Sequence, residues 1–387
     1  MSERLTSIRL SRRNLLGRLG RAAACGTAMA FIDDQASFAT TTRSSEGHRH
    51  GEPIRLNMNE NAYGPSERAA TALRSSLGLV NRYPDPADPL VGDIAALHGV
   101  RPEQIVLGCG STGILRMAAE TFLGRGSTLI LAAPTFDLIA EYARGVGADV
   151  ATVPLDPQYA HDLGGMLAHA DGSTRLVYIC NPNNPTGSVT ARADLEAFIR
   201  KLPATTSVLI DEAYHDYASA SAAYVSFIDR PVDDRRIVVI RTLSKVYGLA
   251  GLRLGYAVAP VEVARALSSH RLSMDVNIVA LRAGTAALAD REHVRLSVQR
   301  NANDRQEFYN QATARMLRVI DSHANFFMLK TDRPAEVTIE HLKKHDILVA
   351  PPIPSMAKYI RVSLSTPHDM VEFWRVWDLM PSHHTEM

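Results

Sequence analysis

The chain has 387 residues, 46% of them hydrophobic, with 42 Lys and Arg against 41 Asp and Glu. That length suffices for about two domains with sizeable cores, and a formal net charge of +1 gives no field that would hold a nucleic-acid backbone or an anionic membrane. Three scattered cysteines, Cys25, Cys109 and Cys180, form neither a disulfide framework nor a metal motif, so no metal is expected and a small acidic substrate must be caught by local charge.

The first forty residues differ from the rest. They carry Ser11-Arg12-Arg13-x-Leu15-Leu16 followed by a weakly apolar Leu/Ala/Gly stretch, which looks like a twin-arginine export signal. The stretch is interrupted by Arg18 and Arg21 and is too short to form a stable membrane span. Residues 40 to 51, "TTTRSSEGHRHG", read as a solvated tether. The expectation is export to the periplasm, with a cytoplasmic location and a merely basic arm as the alternative.

From residue 52 short apolar runs alternate with helix-patterned segments: "QIVLGCG", "STLILAAP", "RLVYICNP", "SVLIDEAY", "RIVVIRTLS" and "RLGYAVAP". Continuous apolar strands separated by helices predict an α/β domain with a mainly parallel sheet covered on both faces. In such sheets polar chemistry collects at the carboxyl ends of the strands.

Four of those strand ends carry candidate chemistry. "LGCGSTGILRMAAE" is a strand, a turn and a helix, and the N–H groups of Gly110, Ser111 and Thr112 at the helix start suit a phosphate. "NPNNPTGSVT" holds Asn184 extended before a proline, its amide free for a ligand. "SVLIDEAYHDY" puts Asp211 directly after a buried strand, with Tyr214 three positions on; a carboxylate at that depth must pair with a cation or shift its pKa. "TLSKVYGLAGLRLGY" sets Lys245 and Arg253 in a run of small and apolar residues, where unpaired charges are costly. Both are expected to face an anionic, carbonyl-bearing ligand.

Beyond about residue 265 the pattern changes to a long amphipathic helix, "EHVRLSVQRNANDRQEFYNQATARML", and then to expected strands in "ANFFMLKT", "DILVAPP" and "YIRVSLS". This divides the chain into signal and linker (1–50), an N-terminal arm (51–84), a large domain (85–265) and a smaller α+β C-terminal domain (266–382).

The order NPNNPTG, DEAY and SKxxxLAGLRLGY resembles the fold-type I pyridoxal-phosphate enzymes of the aspartate aminotransferase superfamily, from about residue 54 to 380. "LNMNENAYGPS", "RYPDP" and "LAGLRLGY" are similar to the histidinol-phosphate aminotransferase branch. The chain departs from that branch in "ILVAPPIPSMAKYIRVS", where those enzymes carry a further arginine and this sequence has none between Val349 and Ile360.

The resemblance implies pyridoxal 5′-phosphate as cofactor, a homodimer, and transfer of an amino group from an L-amino acid to a 2-oxo acid. Lys245 would form the Schiff base, Asp211 would hold the ring nitrogen protonated, and Asn184 and Tyr214 would bond the ring oxygen. Phe136 would stack on the ring. Gly110, Ser111, Thr112, Ser244 and Arg253 would hold the phosphate, together with Tyr83 from the other subunit. Arg361 would take the substrate carboxylate, with Tyr63 closing over the site. A decarboxylase, lyase or oxidase on the same scaffold is the alternative. Lysine forms imines with carbonyls, and cationic or desolvated surroundings leave it nucleophilic, which suits the neighbourhood of Arg253.

Overall fold

The apolar runs between residues 105 and 258 join, in a computed structural model, into one seven-stranded sheet. Residues 52–85 and 88–381 are described by the structure; the expected export signal and linker lie outside the described residues. In chain order the strands are β1 (Ile54–Leu56), β2 (Ile105–Cys109), β3 (Thr128–Ala133), β4 (Asp149–Pro154), β5 (Thr174–Cys180), β6 (Ser207–Asp211), β7 (Ile237–Thr242), β8 (Leu254–Val258), β9 (Phe326–Lys330), β10 (Ile347–Val349) and β11 (Tyr359–Ser363).

The large sheet has the order β2-β8-β7-β6-β5-β3-β4. Only β8 runs against the others, pairing antiparallel with both β2 and β7. Its first residue, Leu254, therefore lies opposite Cys109 at the end of β2, and Gly255 lies opposite Thr242 at the end of β7. Arg253 is thus delivered to the edge where the parallel strands end.

Strand periodicity sorts the core into two faces. Leu129, Leu131, Leu176, Leu209 and Ile240 pack on one with the helices Gly110–Phe122 and Leu138–Gly145. Ile130, Val177, Val208, Ile210 and Val239 pack on the other with Leu90–His98 and Arg192–Lys201. Both faces are covered, as continuous apolar strands require.

The later part of the chain forms a smaller layer. Here β9 pairs antiparallel with β11, while β1 pairs parallel with β10 across nearly three hundred residues of sequence, Ile54 opposite Ile347. A separate core fills this layer: Phe308 stacks on Phe327 at 4.8 Å and lies 5.0 Å from Trp374. Truncating such an aromatic to alanine costs about 3–5 kcal/mol. Helix Ile278–Leu288, although it follows residue 265, buries Ala280, Leu281 and Ala283 in the core of the large sheet. The long helix Arg291–Ala314, capped by Asp290 at its start, then carries Phe308 into the smaller layer. Among the described residues no helix is long and apolar enough to cross a membrane.

Candidate active site

Lys245 sits in the turn after β7. Its Nζ donates to the carbonyls of Met58 and Asn59 at 3.2 and 3.1 Å. Burial lowers its pKa to about 8, with the charges of Arg361 and Arg253 acting the same way and those of Glu60 and Asp211 opposing them. A lysine in this range is a usable base near neutral pH.

Arg253 and the helix Gly110–Phe122 form one end of the site. Arg253 Nη2 donates to Thr112 Oγ1 at 3.3 Å, and Nη1 to Ala250 O at 3.0 Å and to Ser244 Oγ at 3.5 Å. Gly110 has φ +68°, and a Cβ there would run into the Arg253 guanidinium; a Cβ on Gly255 would strike the backbone N of Ser111. These two glycines let a guanidinium close onto a helix N-terminus, an anion cradle for a phosphate.

Asp211 ends β6 and is 3% exposed. Its Oδ2 accepts from the Tyr178 hydroxyl at 2.9 Å and its Oδ1 from Ala213 N–H at 3.0 Å. Burial raises its pKa to about 6, against the pull of those two donors. Tyr214 is also buried, edge-on to Phe326 at 5.2 Å, and its hydroxyl oxygen accepts from Asn59 Nδ2 at 3.0 Å.

The far end belongs to the smaller layer. Arg361 on β11 donates through Nη1 to Asn184 Oδ1 at 2.6 Å and through Nη2 to Asn57 O at 2.7 Å. Arg361 Nε, Asn57 Oδ1 and Asn325 Oδ1 are buried with no hydrogen-bond partner among the described residues.

The hydrogen bonds of Lys245, Arg253 and Arg361 all go to carbonyl, hydroxyl or amide oxygens, none to a carboxylate, among the described residues. Asp211 in turn receives none from a cation. Half-buried charges in that condition need oppositely charged ligand groups. Three cations and one carboxylate therefore fit a ligand with a phosphate, a protonated ring nitrogen and a reactive carbonyl, together with a carboxylate substrate.

The remaining expected residues lie as follows. Phe136 is partly buried against the β3 face of the sheet, beside Thr135, whose Oγ1 donates to Asn183 Oδ1 at 2.7 Å. Tyr83 is 82% exposed. Tyr63 donates its hydroxyl to Asp304 at 3.0 Å under the Arg300 guanidinium, 5.0 Å from its ring centroid. Burial first, then the Asp304 charge, pushes the Tyr63 pKa up.

Sequence reading missed several contributors. Asn59, with φ 52° and 1% exposed, bonds Tyr214, Ser363 and Lys245; its residue type in the quoted "LNMNENAYG" was the available signal. Tyr178 was a polar residue in an apolar run. Behind Asp211, buried Glu212 pairs with Arg241 at 3.0 Å and accepts from Ser226 at 2.6 Å, which ties the ends of β6 and β7 together. Among the described residues no group of three His, Cys, Asp or Glu could hold a metal.

A sheet of this order, with a lysine, a carboxylate and an anion cradle at one edge, defines a cofactor-dependent α/β transferase. The family model of class I and II aminotransferases matches residues 52–374, and the chain belongs to that family: it is a pyridoxal-phosphate-dependent transaminase. It is 37% identical over 322 residues to histidinol-phosphate aminotransferase 2 of Carboxydothermus hydrogenoformans, covering 82% of this chain and 88% of that one. The histidinol-phosphate aminotransferase of Moorella thermoacetica is 36% identical over 320 residues, 81% of each chain. The crystal structure of the Sinorhizobium meliloti histidinol-phosphate aminotransferase in complex with pyridoxal 5′-phosphate superposes with TM-score 0.79 at 27% identity, covering 85% of this chain and 92% of that one.

Proposed function

We propose that Lys245, Asp211, Tyr214, Asn184, Arg253 and Arg361 carry the transfer of an amino group from an L-amino acid to a 2-oxo acid. The observation supporting this is a set of three cations that make no hydrogen bond to a carboxylate, gathered with one buried carboxylate that receives none from a cation, among the described residues. Pyridoxal 5′-phosphate supplies the carbonyl that takes up the amine and a ring that accepts the electron pair left at the substrate Cα.

The N–H groups of Ser111 and Thr112 at the helix start, with Gly110 leaving room for the Arg253 guanidinium and with Ser244 Oγ, would hold the cofactor phosphate. Asp211 would hold the ring N–H, Asn184 and Tyr214 the ring oxygen, and Phe136 one ring face. Arg361 would orient the donor by a two-point grip on its carboxylate, suited to a planar guanidinium. With the substrate so placed, Lys245 Nζ would take and hold the proton lost from the substrate Cα. Tyr63, already tied to Asp304, would cover the entrance.

The donor is proposed to be an L-amino acid. Histidinol phosphate, the substrate named for the relatives, carries a phosphate where an amino acid carries a carboxylate, and the stretch before Arg361 brings no arginine to help bind it. The enzyme is further proposed to act as a homodimer, in which Tyr83 of a second copy reaches the phosphate. Supporting this, Leu77 and Leu79 are exposed in the turn that contacts helix Ile278–Leu288, as are Val80 and Tyr83 after that turn and Leu272 and Met274 just before the helix. Export to the periplasm by the twin-arginine route is proposed on Arg12 and Arg13.

The test is an absorbance scan of the purified enzyme with a panel of L-amino acids and with histidinol phosphate, in the absence of any oxo acid. A cofactor band that bleaches with a donor and recovers on adding a 2-oxo acid identifies that donor. Product formed with carbon dioxide or ammonia released, and with no such reversal, overturns the reading.

A further inference from the structure

Tyr178 lies on β5, wholly buried, two residues before Cys180, which is paired in register with Asp211 on β6. It shares its sheet face with Leu131, Leu176, Leu209 and Ile240, where a phenylalanine would satisfy the packing. A phenol hydroxyl in such a place is costly unless it makes a hydrogen bond. Its bond goes to Asp211 Oδ2 at 2.9 Å.

That bond does two things to Asp211. An ionised carboxylate offers about four acceptor positions, and Tyr178 occupies one on Oδ2 while Ala213 N–H occupies one on Oδ1. Gripped at both oxygens, the group cannot rotate, and its free lone pairs keep one direction. The donor also favours the charged form, since a phenol proton bonds a carboxylate more strongly than a carboxylic acid.

The surroundings otherwise leave Asp211 poorly supported. Burial and the neighbouring Glu212 oppose its ionisation; of the groups favouring it, Tyr178 ranks first, before Ala213 N–H and Lys245. Cys180, on the same strand as Tyr178, is itself a buried thiol whose pKa burial raises, with Asp211 adding to the effect. Burial and the charge of Asp211 also push the Tyr178 pKa well up, so Tyr178 remains a donor throughout the working range.

We propose that Tyr178 is a positioning residue of the transaminase: its hydroxyl holds the Asp211 carboxylate fixed and ionised for the nitrogen of the cofactor ring. This rests on the reading of Asp211 given above. Tyr178 touches neither substrate nor cofactor and acts only through Asp211.

The experiment compares the full-length wild type, Tyr178→Phe and Asp211→Asn. Phenylalanine keeps the ring and nearly all the volume, and thermal melts of each variant establish that it folds. Two quantities are read against pH: kcat/KM with the best amino donor, and the affinity of pyridoxal 5′-phosphate for enzyme stripped of cofactor. Losing one hydrogen bond to a charged group should move the acid limb of Tyr178→Phe up by about one pH unit. Cofactor binding should weaken by about tenfold at pH 6 and by less at pH 8.5. A loss that is equal at all pH values, with an unmoved limb, makes Tyr178 a packing residue and overturns the proposal, as does an unchanged profile. If Asp211→Asn retains wild-type turnover, the reading of Asp211 falls and the role of Tyr178 falls with it. If Asp211→Asn is inactive while Tyr178→Phe matches the wild type in both quantities, only the role of Tyr178 is lost. A Tyr178→Phe protein that fails to fold is replaced by Tyr178→Leu, which is apolar, no larger than tyrosine and carries no donor, with the same two readouts.

Discussion

Asn59 Nδ2 donates to the Tyr214 hydroxyl oxygen at 3.0 Å. Because that oxygen accepts from the amide, the tyrosine proton is left for another partner, while Lys245 Nζ lies over the ring, 5.6 Å from the Tyr214 centroid. The same asparagine receives Lys245 Nζ on its carbonyl and exchanges two hydrogen bonds with Ser363, two residues beyond Arg361. One residue of the arm thus joins two of the proposed site groups, Tyr214 and Lys245, to the strand that carries Arg361.

Asn59 lies at φ 52°, a left-handed conformation that costs an ordinary side chain about 1–2 kcal/mol. Two substitutions separate the backbone from the amide. Asn59→Gly keeps the conformation and loses the side-chain bonds to Tyr214 and from Ser363, so the protein should fold while kcat/KM falls about tenfold, on the order of the hydrogen bond lost at Tyr214. Asn59→Ala should lose the same activity and also melt at a lower temperature. Steady-state kinetics and thermal melts test the pair, and wild-type kcat/KM in Asn59→Gly would refute the link to Tyr214.

Arg361 makes its two side-chain bonds through separate nitrogens, to Asn184 and to Asn57. Lysine retains the charge but loses the planar fork. Arg361→Lys should raise KM for the amino donor at least tenfold, on the order of one charge-assisted hydrogen bond, while the cofactor absorbance stays unchanged. Kinetics with the donor found in the absorbance screen decide this, and an unaltered KM would place the substrate carboxylate elsewhere.

Gly110→Ala tests the proposed phosphate cradle. The new methyl group would enter the volume of the Arg253 guanidinium, on a backbone at φ +68°, so strain and displacement act together. Affinity for pyridoxal 5′-phosphate should fall about tenfold or more, on the order of one charge-assisted hydrogen bond lost when Arg253 is displaced. Fluorescence titration of cofactor onto the stripped enzyme measures it. Gly99→Ala, at φ +64° but with open space around its Cβ position, controls for strain alone and should leave cofactor affinity unchanged.

Much of the sheet was legible because β2, β3, β5, β6, β7 and β8 are apolar runs long enough to read without context. The edge strand β4 was not, since it buries Val153 but leaves Asp149, Thr152 and Pro154 exposed. Nor could the pairing of β1 with β10 be read, because register between distant segments leaves no local trace. The site divides along the same line. Lys245, Asp211 and Arg253 announced themselves as charges in apolar sequence. Tyr178 acquires its role only through the lateral pairing of β5 with β6, and Asn59 only through the return of the arm across the lysine turn. Both depend on which strands become neighbours.

The pH dependence of stability gives the last prediction. His161 is 4% exposed, its Nδ1 lies 2.7 Å from Thr190 Oγ1, and burial lowers its pKa to about 4. An unfolded histidine titrates near 6.5. Above that value both states are neutral at this side chain and it adds no pH dependence. Below it the unfolded chain takes up a proton that the folded chain refuses, so stability falls from about pH 6.5 down to about pH 4. The slope from one such group is about 1.4 kcal/mol per pH unit. Asp211 acts in the opposite sense, because its pKa is raised to about 6 on folding, so the total slope mixes both signs and a difference between proteins is the proper readout. Urea unfolding of wild type and His161→Asn at intervals from pH 4.5 to 7.5 should give curves that converge as the pH falls, with the acid slope of the variant smaller by about one proton. The asparagine costs stability at every pH through lost packing, but that offset does not alter the slope; parallel curves would show that His161 takes up its proton alike in the folded and the unfolded protein.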